Sequence, residues 1–325
     1  MNIDRGKESF SDDEIAAVRQ QLKDYKAANG LSWKDLEKLV GDQSSAVLSA
    51  FVNATYAGDN RNVAWKVNRF FVAEEVRAQQ SVVMPVVPGF RMTKTAQMMT
   101  AQLRWAHEGE ISAIVGNPGL SKTATIDQYA GTNPNVFKIT ANPAIRSVLP
   151  VLGEICRAAG RDVKVWRSSH GLYQALTARL SGLRALVIVD EAQHLRDDAL
   201  DQLRAIHDET HCGLVLAGNA AVLGRIQQGG RLVEFAQINS RVSWPQTYLH
   251  PFPEDVAMLC EAWGVENARE RDFLGKVAML PGALRSMTQV LKMATLDARG
   301  GDEERTLSHL KTAWTQLQRA QSIAA

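Results

Sequence analysis

Ile111 to Thr123 reads ISAIVGNPGLSKT: a short apolar run, a loop with Gly116 and Gly119, and Lys122-Thr123 opening a helix. It fits the phosphate-binding pattern G-x-x-x-x-G-K-[ST] at every defining position except one, because Ser121 stands where the last glycine usually sits. A triphosphate needs many donors aimed at one small volume. Backbone N–H groups at a helix start are unpaired and can converge in that way. The nucleotide-binding segment expected here is Gly116, Asn117, Pro118, Gly119, Leu120, Ser121, Lys122, Thr123 and Ala124. The two glycines allow close backbone approach and positive φ, Lys122 reaches the β- and γ-phosphates, and the Thr123 hydroxyl helps hold Mg²⁺. If position 121 requires φ > 0, serine costs roughly 1 kcal/mol or more; if it is already helical, serine is harmless.

Downstream, short β-branched runs alternate with helical segments: strands at Val136 to Thr140, Ala185 to Val189 and Leu214 to Ala217, and helices at Ile145 to Ala158 and Leu172 to Leu180. That alternation predicts an α/β fold, a parallel sheet with helices on both faces, and ligands at the carboxyl ends of its strands. Two polar groups fall there. ALVIVDEAQHL ends its strand in Asp190 and Glu191; the aspartate suits Mg²⁺ and the glutamate suits the attacking water as a general base. A helix-start cap would also favour acids at this point. GLVLAGN ends in Asn219, whose amide can bond a γ-phosphate oxygen and the lytic water, or merely cap a turn. Arg241, with Arg231 as the alternative, is the candidate arginine finger toward a neighbouring subunit, and Arg285 in PGALRSM is the candidate contact to the γ-phosphate of its own subunit.

At 325 residues the chain suggests about two domains. A net charge of +2 is too small to advertise nucleic-acid binding, so any such role must rest on local patches. Cys156, Cys212 and Cys260 lie far apart, which favours a reducing cytoplasm and argues against zinc. No apolar run approaches the ~20 residues of a membrane span. A helix is expected over residues 12–28, and Leu31 to Asn53 then reads LSWKDLEKLVGDQSSAVLSAFVN, two short apolar stripes joined near Gly41. This fits a helix-turn-helix presenting Gln43, Ser44, Ser45 and Ser49 outward to DNA, with Arg61, Lys66 and Arg69 just downstream; a small bundle for protein contacts fits the same spacing. SVVMPVVPG, from Ser81 to Gly89, reads as an extended linker. The expected organisation is a helix-turn-helix domain over 1–78, a linker over 79–92, the nucleotide-binding core over 93–250, and an all-α lid carrying Arg285 over 251–325.

GNPGLSKT, LVIVDEAQHL, LVLAGN, VEFAQINSR and PGALR, in this order and spacing, resemble an AAA+ ATPase, most closely the phage Mu transposition protein B family. The resemblance covers nearly the whole chain. It implies an ATP-bound, Mg²⁺-dependent ATPase in the cytoplasm of a bacterial host, which assembles as a helical homo-oligomeric filament on double-stranded DNA with little sequence preference and activates a transposase. By that resemblance Lys122 and Thr123 bind nucleotide and Mg²⁺, Asp190 and Glu191 take the metal and base roles, Asn219 is the sensor, Arg241 the finger and Arg285 the second sensor. Ser121 departs from the wider pattern. Candidate DNA contacts are Arg146, Arg161, Lys164 and Arg167, since non-specific binding is mostly phosphate neutralisation. A loader or remodeller of a replicative helicase or other DNA-bound protein is the alternative, and a nucleotide-gated switch without turnover is a third reading.

Overall fold

Strand β1 (Ile111–Gly116) is buried along its whole length, which requires cover on both faces of its sheet. In the computed structural model, which describes residues 10–161, 168–222, 224 and 241–324, it pairs in parallel with β4 (Gly213–Gly218) on one side and β5 (Val242–Tyr248) on the other. Strand β3 (Leu186–Asp190) joins β4, and β2 (Val136–Thr140) joins β3, giving the order β2-β3-β4-β1-β5. Continuous burial of β3 and β4 is what a doubly covered parallel sheet demands of its central strands.

One face packs against α7 (Val148–Ala158), α8 (Ser169–Leu180) and α9 (Asp197–Thr210) through Val115, Ile139, Leu152, Leu176, Val187 and Leu203. The other packs against α5 (Lys94–His107) and α6 (Lys122–Thr132) through Met99, Leu103, Ile114, Ile126 and Val215. Each fully buried leucine, isoleucine or methionine among these contributes roughly 1.5–3 kcal/mol relative to exposure. The helix expected from Ile145 begins only at Val148. The Asn142 side-chain oxygen accepts from the Ala144 and Ile145 N–H groups (2.8 and 3.0 Å), holding those residues in a turn.

Strand β5 escapes the sequence pattern, because most of its residues are exposed and Pro245 sits in its middle. Its edge position explains both features. An edge strand needs no donor on its outer side, and a proline there blunts further strand addition.

The chain divides into two compact units, Met1–Pro85 and Val86–Ala325. In the first, α1 (Asp12–Ala28), α2 (Trp33–Val40), α3 (Ser45–Val52) and α4 (Asn60–Val83) enclose Leu22, Leu36, Leu48, Phe51 and Val67. Helix α4 runs to Val83, three residues into the stretch expected to be extended. It stops where Pro85 disfavours helical backbone at the residue before it. Phe70 and Phe71 are buried in this core.

After β5, α10 (Pro253–Ala262), α11 (Ala268–Ala278), α12 (Ala283–Gly300) and α13 (Leu307–Ala324) form an all-α lid around Cys260, Leu274, Met287, Leu291 and Leu310. A buried carboxylate fixes its base. Asp255 accepts from the N–H of Thr95 (3.0 Å) at the start of α5, from the Thr95 hydroxyl, and from the N–H of Phe252 (2.9 Å). Among the described residues no helix is long and apolar enough to cross a membrane. All three cysteines are buried and free.

Candidate nucleotide site

The loop after β1 is held from three sides. Gly116 abuts β5: a Cβ there would lie 2.7 Å from the Tyr248 carbonyl oxygen. Its φ is not positive, contrary to the expectation for both glycines, so close approach alone accounts for it. Asn117 donates from its backbone N–H to the Tyr248 carbonyl (3.0 Å) and from its side chain to the Leu249 carbonyl (2.7 Å), tying the loop to the end of β5. Gly119 stands at φ 88°, and a Cβ there would meet the Gly282 carbonyl oxygen of the lid at 1.9 Å. Leu120 is fully buried and pins the loop to the core, while Pro118 stays exposed.

Ser121 adopts φ 59°, ψ 19°, and its side chain makes no capping hydrogen bond. Position 121 therefore does require positive φ. Lys122 follows at the first turn of α6 with its ammonium on the Gly116 and Asn117 carbonyls (2.7 and 3.0 Å). Burial pushes its pKa below the ordinary lysine value; the carboxylates of Glu191 and Asp190 oppose that shift and Arg285 adds to it. The Thr123 hydroxyl donates to Asp190 Oδ2 (2.7 Å), and Ala124 continues the rim of the cavity.

Asp190 ends β3 and is 1 % exposed. Glu191 sits at φ 54° with its N–H on Asp190 Oδ1 (2.9 Å). Its carboxylate accepts from the Gln193 side-chain amide, whose own oxygen accepts from the N–H of Asn219 (3.3 Å). Asn219 lines the cavity and also caps a turn, accepting from the Ala221 N–H (2.9 Å). Arg285 projects from the first turn of α12, where its Cβ lies close to Gly119. The space enclosed is about 620 Å³.

Sequence reasoning missed Gln193 and Lys292, both of which line this cavity. Lys292 had a signal. Arg285, Thr288, Gln289 and Lys292 recur at one-turn spacing on α12, opposite Met287 and Leu291, which are buried in the lid core. Gln193 had none, because its partners come from a strand end and from the turn after β4.

Arg241 lies at the far end of the sheet. It precedes Val242, which pairs with Ile111 at the start of β1, so the length of a strand, roughly 20 Å, separates it from its own phosphate loop. There it forms an ion pair with Asp208 of α9. Arg146 is exposed on the β2–α7 loop, at the phosphate-loop end of the sheet. Arg161 is exposed beyond the other end of α7, an 11-residue helix about 16 Å long. Lys164, Arg167 and Arg231 lie outside the described residues.

In the N-terminal unit Ser44 caps α3 by accepting from the Val47 N–H (3.4 Å), and the Gln43 side chain donates to the Asp42 carbonyl (2.7 Å). The Ser45 N–H donates to the Glu37 carboxylate (3.0 Å), and hydrogen bonding from the Ser45 side chain and then from its backbone holds that carboxyl below its usual range.

A phosphate loop, a strand-end glutamate and a neutral amide around one cavity, with Asp190 buried beneath them, define a nucleotide site but not a family. A family model described as Mu B transposition protein, C terminal, matches residues 240–317, and one described as AAA domain matches residues 103–226. The ATP-dependent target DNA activator B of Escherichia phage Mu is 34% identical over 275 residues, covering 84% of this chain and 86% of that protein. This chain belongs to the Mu B transposition protein family. A further relative within the Mu B group, the Mu-like prophage FluMu DNA transposition protein B of Haemophilus influenzae, is 29% identical over 272 residues, 83% of this chain and 93% of its own. Among solved structures, the Aeropyrum pernix ORC2 protein, in ADPNP and ADP complexes, matches with a TM-score of 0.53 at 16% identity, over 71% of this chain and 69% of that one. The Aeropyrum pernix ORC1 protein in complex with DNA gives 0.53 at 21% identity, over 73% and 67%. At such identities the likeness is one of fold, and with the AAA domain match it makes the Val86–Ala325 unit of this Mu B family member an AAA+ ATPase domain with a helical lid.

Proposed function

We propose that this protein is an ATP-dependent, DNA-stimulated ATPase that assembles on target DNA with little sequence preference and activates a transposase. The observation that carries the reading is the convergence of Lys122, Thr123, Glu191, Asn219 and Arg285 on one cavity, in a chain whose relatives are named ATP-dependent target DNA activators. Lys122 exchanges its loop carbonyls for phosphate oxygens, which offset the burial that now disfavours its charge. The Thr123 hydroxyl and Asp190 carboxylate, 2.7 Å apart, are the hard oxygen donors that suit Mg²⁺. A Mg²⁺ held by these two groups would supply positive charge against the phosphates. Glu191 takes a proton from the attacking water as its oxygen bonds to the γ-phosphorus, while the bond to the ADP oxygen breaks. Asn219 orients that water. Arg285, from the lid, and Arg241, from a neighbouring protomer, stabilise the developing negative charge.

DNA contact on this reading falls to exposed arginines, Arg146 foremost, by phosphate neutralisation. The α2–α3 pair, with Gln43, Ser44 and Ser45 at its turn, adds a helix-turn-helix contact. The reaction belongs to the bacterial cytoplasm, where target DNA lies.

Electron microscopy with random-sequence duplex under ATP, ADP and no nucleotide tests the proposal. Filaments are expected with ATP alone, and Glu191→Gln should trap them; absence of duplex binding with ATP present sinks it. Strand transfer by an added transposase should rise, an effect that a helicase loader would not produce.

A further inference from the structure

Lys292 is a cation with no ion-pair partner among the described residues. It stands half-buried on α12, two turns and about 10 Å along the helix from Arg285, and lines the same nucleotide cavity. Asp127, the acid that α6 contributes to that cavity, is already paired with Lys138. The reverse imbalance surrounds Arg241. Asp208 pairs with Arg241 and with Arg204 (2.9 Å), Arg204 is shared with Asp201 (3.3 Å), and Glu209, the next residue of α9, is exposed. When Arg241 reaches into another protomer, Arg204 alone remains against Asp201, Asp208 and Glu209. Its arrival there also adds a cation to a cavity that already holds Lys122, Arg285 and Lys292. A triphosphate offsets the cations beside the phosphate loop, but Lys292 stands two turns away from it.

We propose that Lys292 is an intersubunit contact that receives Asp208 of a second copy of this chain, so that the acid Arg241 leaves is taken up by the protomer whose nucleotide Arg241 reaches. The inference rests on the finger role proposed above for Arg241. What selects a second copy as the partner is charge complementarity: an unpaired cation on the lid helix α12 of one protomer, and on α9 of the other a group of carboxylates that loses a cation in the same step. Because Asp208 is in contact with Arg241 before assembly, the acid and the finger are presented together on one surface. Opposite charges on facing patches fix register and disfavour wrong partners more than they add affinity. The pair thus aligns the finger with the site and adds only modestly to the strength of assembly.

The test is thiol cross-linking of the full chain, assembled with ATP on random-sequence duplex. The three native cysteines are buried, so the reactive thiols are those placed by Lys292→Cys in one preparation and Asp208→Cys in the other. A short bis-maleimide should give covalent dimers in the mixture with ATP, and none with either variant alone. A second measurement needs no new thiol. Lys292→Met and Asp208→Asn should each raise the protein concentration that gives half-maximal hydrolysis by about two- to fivefold, and the double variant should be no worse than the worse single one. Assembled protein that gives no 292–208 cross-link, or losses that simply add in the double variant, overturns the pairing. The finger role is checked apart, with Lys122→Ala and Arg241→Ala proteins that should regain hydrolysis when mixed. Recovery in that mixture without the cross-link overturns the pairing alone. A mixture that stays inactive overturns the finger role and this inference with it, whether or not the cross-link forms.

Discussion

Ser121 holds a left-handed backbone, which costs a residue with a Cβ about 1–2 kcal/mol, and its side chain forms no cap to offset that cost. Glycine would remove the strain while adding freedom to the unfolded chain worth about 0.4–1 kcal/mol. Ser121→Gly should therefore stabilise the ATPase unit by a few tenths to about 1 kcal/mol. In a scanning calorimeter this is a rise in Tm of about 1–4 °C for a unit of this size. A fall in Tm would show a compensating contact of the hydroxyl. Gly119 is the opposite case, because its φ of 88° and the Gly282 carbonyl against it leave no space for any side chain. The two positions differ in what their neighbours tolerate: Ser121 bears only a local backbone cost, whereas Gly119 is the plane on which the lid meets the loop.

Among the elements, the lid is joined to α5 by the buried Asp255 carboxylate, beside the exposed Lys94–Glu254 ion pair. Asp255 is fully buried, and Asp255→Ala would leave the Thr95 and Phe252 N–H groups and the Thr95 hydroxyl without their acceptor, at about 1–3 kcal/mol each. We expect a loss of at least about 2 kcal/mol in denaturant unfolding, with earlier proteolytic cleavage between β5 and α10. A loss under about 0.5 kcal/mol, typical of a surface change, would remove Asp255 as the anchor. The α2–α3 turn carries a pH dependence. Glu37 has its pKa lowered from 4.5 chiefly by the hydrogen bond from Ser45. A depressed folded pKa means that the contribution is fully present above the unfolded value and is lost as pH falls through the folded one. Protection of the Ser45 amide against hydrogen exchange should thus be lost as pH falls below the ordinary glutamate range, whereas equal protection at neutral and at strongly acidic pH would show that the bond does not hold the turn. Because Glu37 already occupies the first amide of α3, that helix start offers DNA phosphate less than a bare N-terminus would.

For the molecule as a whole, Arg241 lies at the opposite end of the sheet from its own phosphate loop, so the finger role proposed for it requires a second protomer. Lys122→Ala and Arg241→Ala should each abolish hydrolysis alone. An equal mixture should recover about a quarter of wild-type activity, the fraction of sites that pair an intact lysine with an intact neighbouring arginine in random assembly. A mixture that stays inactive, while each variant still assembles on duplex, would remove Arg241 from the neighbour's site. The ion pair with Asp208 is half-exposed, so its loss on assembly costs little.

The sequence by itself determined the chemistry and the layering. Glycines, Lys122 and Thr123 after an apolar run, and Asp190 and Glu191 at the end of another, are local patterns. Each is legible because strand burial and helix starts depend on neighbours a few residues away, and the same holds for the lid, whose helical period is continuous from Pro253. The tertiary structure decided what long-range packing sets: that position 121 takes positive φ, that Gly116 serves close approach to Tyr248, that a proline-bearing segment becomes the fifth strand at the sheet edge, and that Gln193 bridges Glu191 to Asn219. In the last three of these the partner lies on another element brought near only by the parallel sheet. No spacing in the chain encodes such a neighbour, because it is fixed by strand order and not by distance along the sequence.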